Sequence, residues 1–98
     1  MNNKSSDSKI VFVGRKRPMD YVLAIVTAFS GSEVKKTTVK ARGRAITTAV
    51  DAVEIARRKF VKEMIVDNVT IGTEEMPPRE GESKPRNIST IEIALKRS

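Results

Sequence analysis

The first third of the chain shows one short apolar run and one helical pattern. Residues 10–13 are apolar without a break, which is typical of a strand covered on both faces. From Pro18 to Phe29, apolar side chains recur at steps of three and four, and Gly31 follows as a helix stop. The pattern predicts a strand and then a helix, with Phe12 and Phe29 in the core.

A second strand and a second helix follow in the same order. Residues 34–41 are rich in β-branched side chains, which favour extended backbone. After Gly43, apolar residues mark one face of a longer helical pattern and charged residues mark another, with Phe60 near its end. A glycine between the strand and the helix also suits a turn that needs a positive φ.

The last third of the chain has the period of strands. In residues 65–75 and in residues 88–96, side chains fall into two alternating sets, one for each side of a strand. Strict alternation puts Val66 and Ile71 on opposite faces of the first of these strands. Residues 77–86 between them are too polar and too rich in proline and glycine for regular structure. These patterns predict a long C-terminal hairpin with a mobile tip.

The predicted order is therefore βαβαββ in a chain of 98 residues, which has room for one core. Two βα units imply parallel strands at the start, and the closing hairpin implies an antiparallel pair. We expect an α/β fold, a two-layer sandwich of helices on one mixed sheet, as a single domain over residues 9–98. Residues 1–8 are expected to form a disordered tail.

The composition narrows the chemistry. The chain has no cysteine and no histidine, which removes disulfides, zinc–thiolate sites and most catalytic triads. We expect no metal, no cofactor and no enzyme activity. Catalysis on a phosphorylated substrate by a lysine or a carboxylate pair is the alternative. No apolar run is long enough to cross a bilayer and the polar start lacks a signal peptide, so a cytoplasmic location is expected.

The net charge of +7 is concentrated in one half of the chain. Residues 9–44 contain nine basic and two acidic side chains, whereas residues 45–98 contain nine of each. A one-sided positive field attracts polyanions. Nucleic acid is the first candidate partner. An anionic membrane surface is the second, but no basic amphipathic helix is visible.

Two short clusters of cations follow the first two predicted strands. Because the carboxyl ends of parallel strands meet at one edge of a sheet, we expect the clusters to form one basic patch. Arginine in particular forms bidentate contacts with phosphate. For the first cluster the alternative is a solvated loop without a partner. For the second it is a structural turn that needs Gly43 at a positive φ, or arginines paired with Asp51 and Glu54. The clusters consist of Arg15, Lys16 and Arg17, and of Lys40, Arg42 and Arg44.

The predicted hairpin tip is a third candidate site. Arg79, Lys84 and Arg86 could reach a groove of a duplex, as extended arms do. Glu80 and Glu82 offset much of this charge, so a solvated loop without contacts is the alternative.

Aromatic side chains are few, so a stacking platform for unpaired bases is poorly supported. Phosphate contacts should dominate and binding should be weakly sequence-specific. Tyr21 either assists the first cluster or packs on its helix, and Phe60 is either a core anchor or an exposed contact. The last two strands carry more aliphatic residues than one covered sheet face requires, and a homodimer would bury the surplus.

Three stretches of the sequence resemble the motifs of one protein family. Residues 13–22 (VGRKRPMDYV), residues 39–46 (VKARGRAI) and residues 89–94 (STIEIA) are similar, in this order, to those of the Alba (Sac10b) chromatin proteins of archaea. The resemblance covers about residues 9–97. It implies a homodimer with the Alba fold that binds double-stranded DNA and also RNA without sequence preference, and that coats and compacts DNA on the chromosome.

The resemblance also implies roles for particular residues. Arg15, Lys16, Arg42 and Arg44 would form a basic face on the dimer body, with the hairpins as arms. Phe60 would join dimers side by side along DNA. The resemblance implies acetylation of a lysine in this loop by an acetyltransferase and its reversal by a Sir2-type deacetylase. Position 15 is an arginine and cannot be acetylated, so Lys16 is the candidate. A mainly RNA-directed role, as an RNA chaperone or a ribonucleoprotein subunit, is the alternative.

Overall fold

The computed structural model of the chain describes residues 8–30 and 36–98. Residues 1–7 of the predicted tail and residues 31–35, with the predicted helix stop at Gly31, lie outside the described residues. The elements are β1 (Ser8–Phe12), α1 (Pro18–Phe29), β2 (Lys36–Arg42), α2 (Ala45–Ile55), β3 (Met64–Met76) and β4 (Arg86–Arg97). The helix α2 continues directly into a π-helical turn over Ala56–Phe60.

The four strands form one mixed sheet in the order β1-β2-β4-β3. β1 runs parallel to β2, and β4 runs antiparallel to both β2 and β3. The predicted βαβαββ order is therefore confirmed. The last strand does not sit at the edge, because it inserts between β2 and β3. Neither helix in the described part of the chain has the length and apolar character that a membrane crossing needs.

The helix α1 begins where its sequence provides a start signal. Pro18 occupies the first turn, where a missing N–H costs nothing. The carboxylate of Asp20 accepts a hydrogen bond from the Arg17 amide (3.2 Å), and the Asp20 amide donates to the Arg17 carbonyl (3.0 Å). These two bonds satisfy groups that a helix start leaves open. The helix then buries Tyr21, Val22, Ile25 and Phe29.

The far end of α1 is held by the last strand. The Arg97 guanidinium donates to the Phe29 carbonyl (2.7 Å) and lies 4.7 Å from the centre of the Phe29 ring. A cation at a helix C-terminus compensates the exposed carbonyl groups there. Arg97 also forms an ion pair with Glu63 (3.2 Å).

The core lies between the helices and one face of the sheet. Alternate residues of β2 are buried and lie opposite buried residues of β4; Val39, for example, faces Ile93. Ala49 and Ala52 of α2 and Ala56 of the π-helical turn are small and fully buried, which lets this helix approach its neighbours closely. Phe29 is 3% exposed, so its predicted core position is confirmed.

The prediction that Phe12 lies in the core is wrong. Phe12 is 71% exposed and Ile10 is 51% exposed, whereas Val11 and Val13 are buried. Because the two helices form a single layer, they cover only one face of β1, and alternate residues of the apolar run point away from them. We call the uncovered side of the sheet, which bears Phe12, the outer face.

The prediction of strict alternation along β3 is also wrong. Val66 lies opposite Leu95, but Asn68 lies opposite Ala94, so Asp67 is an extra residue in a β-bulge. A bulge shifts the alternation by one position. Val66 and Ile71 therefore share the helix side of the sheet, and they are 38% and 78% exposed because the core covers β3 only at its first residue, Met64.

Candidate nucleic-acid interface

The loop after β1 is shaped by a tyrosine. The Tyr21 hydroxyl oxygen accepts hydrogen bonds from the amides of Gly14 (2.9 Å) and Lys16 (3.0 Å). Its ring is 9% exposed, so the oxygen is held in place by core packing. The loop backbone is thereby fixed against α1, while the side chains of Arg15 and Lys16 remain exposed.

Tyr21 therefore does both things between which the sequence left a choice, because it packs in the core and also orders the first basic loop. The available signal was its position in the first turn of the helix after the loop. A hydroxyl at that place can accept from loop amides that no strand or helix satisfies.

The loop after β2 turns at Gly43, which has a φ of +60° and so confirms the predicted positive value. Its amide donates to the Ser89 carbonyl (2.9 Å), and its carbonyl accepts from the Ile46 amide (3.1 Å). An L side chain rarely adopts this backbone conformation. The turn anchors the second basic loop to β4 at one end and to the start of α2 at the other.

Both loops and the loop end of the β3–β4 hairpin line one groove with a volume of about 1200 Å³. The Val13 amide donates to the Lys40 carbonyl (2.9 Å), so β1 and β2 stay paired until both loops begin. The two loops therefore lie at the same edge of the sheet. Five arginines from three segments line this arginine groove: Arg15, Arg42, Arg44, Arg79 and Arg86.

The other predicted cations do not line the arginine groove. Lys16 and Arg17 are exposed on the first loop, and Lys84 is exposed on the hairpin tip. Lys40 points to the outer face, where its ammonium lies 3.6 Å from the Glu92 carboxylate. That these residues and the five arginines bind nucleic acid stays a prediction.

The tip of the hairpin contains a turn, and its predicted mobility stays a prediction. The Glu82 amide donates to the Arg79 carbonyl (2.9 Å), and Gly81 has a φ of +85°. Next to this connecting loop, Arg86 lies opposite Met76 in the last pair of the β3–β4 pairing. The Nε atom of Arg86 is buried and has no hydrogen-bond partner among the residues that the structure describes.

One arginine of the groove is paired with a carboxylate. Arg42 Nη1 lies 2.9 Å from Glu74 Oε1 and 3.8 Å from the Met76 sulfur. Both partners of the ion pair are about half exposed, and exposed pairs contribute about 0–1 kcal/mol. The pair therefore leaves Arg42 able to exchange Glu74 for another anion. Across residues 8–30 and 36–98, no ion pair involves Arg15 or Arg44.

The alternative that the loop arginines pair with Glu54 is wrong. Glu54 accepts hydrogen bonds from Arg57 Nε (2.6 Å) and Nη2 (3.2 Å), and Arg58 lies 3.9 Å away. The hydrogen bond from Arg57 is the main reason why the pKa of Glu54 is lowered, and the same bond raises the pKa of Arg57. This ion pair links the end of α2 to the π-helical turn, and neither of its residues lines the arginine groove.

Two apolar features lie outside the groove. Phe60 ends the π-helical turn and is 55% exposed, so it is not a core anchor, and a contact through its ring stays a prediction. On the helix side of β3, Val66, Val69 and Ile71 are exposed, and we call them the β3 apolar strip. The structure thus provides apolar surface that the chain alone does not cover.

A mixed four-stranded sheet with one helix layer and an arginine groove at its edge defines a small basic α/β protein with a positively charged surface. The sequence model of one family, Alba, matches residues 9–73. The chain belongs to the Alba family.

Relatives along nearly the whole chain support the assignment. The DNA/RNA-binding protein Alba of Picrophilus torridus is 44% identical over 92 residues, which is 94% of this chain and 99% of that protein. The protein of the same name from Methanocella arvoryzae is 46% identical over 91 residues, 93% of this chain and 92% of that protein.

Solved structures agree on the fold. Alba from Thermoplasma volcanium superposes with a TM-score of 0.81 at 42% identity, covering 90% of this chain and 99% of that one. ALBA1 from Trypanosoma brucei superposes with a TM-score of 0.69 at 24% identity, covering 98% of this chain and 73% of that one, which bears on the fold alone.

Proposed function

We propose that this protein binds DNA and RNA through the arginine groove, with little dependence on sequence. The observation that carries the proposal is the convergence of five arginines from two loops and the hairpin on one groove. Two of the similar archaeal proteins are named DNA/RNA-binding proteins, which supports the same ligand.

The mechanism is neutralisation of phosphates. Guanidinium groups form bidentate contacts with phosphate oxygens and release condensed counterions from the nucleic acid. Gly14 and Gly43 also line the groove, so a sugar-phosphate backbone can approach the protein backbone closely there. Arg79 and Lys84 on the hairpin extend the contact as an arm along a duplex groove. The role is one of binding and uses no cofactor.

The binding unit in this proposal is a homodimer. The β3 apolar strip lies on the helix side of an edge strand, and a second copy would bury it. Burial of apolar surface is the main favourable term in such association. Two copies would place two arginine grooves on one body, which doubles the number of phosphates engaged.

On duplex DNA, dimers would coat and compact the chromosome in the cytoplasm, on the nucleoid. Phe60 is exposed beside three cations, which suits a contact between neighbouring dimers on DNA. Phe60→Ala would then leave the affinity of the first dimer unchanged and lower the cooperativity of coating. A titration on long DNA, compared with one on a site for a single dimer, separates these two effects.

Lys16 is the proposed modification site. Its side chain is exposed on the first basic loop, where an acetyltransferase and a Sir2-type deacetylase could reach it. Acetylation removes one positive charge next to the arginine groove. The affinity of a Lys16→Gln variant should fall, and that of Lys16→Arg should not.

Salt dependence tests the mechanism. If a dimer neutralises about six phosphates, the logarithm of affinity should fall with a slope of about −5 against the logarithm of salt concentration. With this slope, the affinity should fall about a thousandfold between 50 and 200 mM salt. Affinity that hardly changes over this range would refute phosphate neutralisation.

A pair of matched variants tests the site. Arg44→Ala should weaken binding to all duplex sequences alike and reduce the salt slope by about one per groove. Arg58→Ala removes the same charge from the π-helical turn, outside the groove, and serves as the control on a duplex that holds a single dimer. Selective loss on one sequence would indicate base readout instead. Competition between duplex DNA and structured RNA tests the alternative of a mainly RNA-directed role.

A further inference from the structure

The outer face of the sheet carries an exposed aromatic ring beside cations. Phe12 on β1 lies opposite Lys40 on β2, and Lys40 lies opposite Glu92 on β4, so these three residues form one row across the sheet. The Phe12 ring is 71% exposed. A groove of about 750 Å³ runs over this row and over Arg42 and Thr90 in the next. We call it the outer groove.

The outer groove is continuous with the arginine groove. Val13, Gly14 and Arg42 line both of them, so Arg42 stands where one groove passes into the other. A strand whose phosphates lie on the arginine groove can therefore pass Arg42 and continue onto the outer face. A base that is not paired then meets the Phe12 ring.

The two grooves differ in charge: five arginines line the arginine groove, whereas cations and carboxylates balance in the outer groove. In the outer groove the cations Lys40 and Arg42 face the carboxylates Glu92 and Glu74, at 3.6 Å and 2.9 Å. Its net charge is zero, so it does not attract a phosphate chain by itself. What it offers is an apolar ring with a free face, and every nucleobase has a π-face that stacks on such a ring.

We propose that Phe12 is a stacking site for an unpaired base of single-stranded nucleic acid. The proposal rests on the proposed function, since the arginine groove anchors the strand that delivers the base. Bases within a duplex are stacked on their neighbours and cannot reach the ring, so the site distinguishes single strands from duplexes. Other four-stranded sheets bind RNA in the same manner, through aromatic residues on an open face.

The test compares single strands with duplexes for a variant that loses only the ring. Phe12→Leu keeps an apolar side chain at an exposed position, so the fold should be retained. Its affinity for a short uridine oligomer should fall about tenfold, the order of one lost stack. Its affinity for a duplex of the same length should not change. Phe12→Tyr retains a ring and should retain the affinity for single strands.

The control variant is Leu23→Ala, which removes an apolar side chain that is 69% exposed on α1. It should leave both affinities unchanged. Ultraviolet crosslinking of the wild-type protein to the uridine oligomer gives a direct second readout. The nucleotide adduct should appear on the tryptic peptide of residues 10–15, in which Phe12 is the one aromatic residue.

Three outcomes would overturn the proposal. If Phe12→Leu binds single strands as the wild type does while Arg44→Ala weakens them, the stacking site fails and the proposed function stands. Failure of both variants to change any affinity would reject the proposed function itself. If Phe12→Leu loses self-association and keeps strand binding, the outer face is covered by a second copy instead.

Discussion

The phenolic oxygen of Tyr21 lies 2.9 Å from the amide nitrogen of Gly14 and accepts its hydrogen bond. The same oxygen accepts from the Lys16 amide, so one buried side chain orders a loop that carries three of the cations predicted to bind nucleic acid. The core of this protein and its arginine groove are thereby mechanically connected.

Tyr21→Phe should loosen the first basic loop without emptying the core. Two partly buried amides lose their acceptor, which costs about 1–3 kcal/mol in the free energy of unfolding. For a chain of this size, each kcal/mol lowers the melting temperature by about 4–8 °C. Thermal unfolding followed by circular dichroism measures the loss.

Amide hydrogen exchange shows where the effect of Tyr21→Phe lies. Exchange at Gly14 and Lys16 should accelerate more than exchange at Gly43, whose amide is held by Ser89. Equal acceleration at all three amides would mean that the variant destabilises the whole domain. It would then say nothing about the loop.

Glu74→Gln should strengthen nucleic-acid binding. Glu74 competes with phosphate for Arg42, and an exposed pair of this kind contributes about 0–1 kcal/mol. Its removal should raise affinity up to about fivefold. Glu92→Gln removes the same charge beside Lys40 on the outer face and is the control in titrations with duplex DNA. Equal gains for both variants would indicate a general charge effect.

Ile71→Asp should separate the proposed dimer into monomers. Ile71 is 78% exposed on the β3 apolar strip, and a carboxylate buried at an apolar interface without a partner is strongly unfavourable. Sedimentation equilibrium measures the molecular mass. Ile10→Asp, at a 51% exposed position on the outer face, should leave the mass unchanged. A dimer that survives Ile71→Asp would move the interface to another surface.

The Glu54–Arg57 pair should make stability depend on pH at the acidic end. Because the hydrogen bond from Arg57 lowers the pKa of Glu54 in the folded state, the pair stabilises the protein above the ordinary carboxyl value of 4.5. This contribution is lost as the pH falls through the lowered pKa. Both partners are about one-third exposed, so water and salt screen the pair and its contribution to stability is small.

Urea titrations between pH 7 and pH 2 compare the wild type with Glu54→Gln. The difference in the free energy of unfolding between the two should shrink as the pH falls below the ordinary carboxyl pKa. A constant difference over the whole range would show that the ion pair does not contribute.

The order of elements and the two basic loops could be predicted from the sequence because their signals are local. The three- and four-residue periodicity of α1 and the start signal at Pro18 and Asp20 act within one or two turns of chain. Gly43 marks its turn because its backbone conformation disfavours other residues. Cations placed just after two parallel strands necessarily lie at one edge of the sheet.

Three features could not be predicted in this way. They are the exposure of Phe12, the side chains on each face of β3 and the partner of Arg42. Phe12 belongs to an apolar run, and only the single helix layer decides which half of that run is covered. The bulge at Asp67 inverts the alternation after Val66, and no single residue type announces it.

Local periodicity and charge placement in the chain were therefore sufficient for the element order, the core of α1 and the existence of a basic edge. Only the tertiary structure decided three other features. They are the insertion of β4 between β2 and β3, the position of Arg79 and Arg86 at the groove, and the uncovered outer face. The physical reason is separation along the chain. Arg42 meets Glu74 across 32 positions, and contacts of that range depend on how layers and strands assemble rather than on any neighbouring residue.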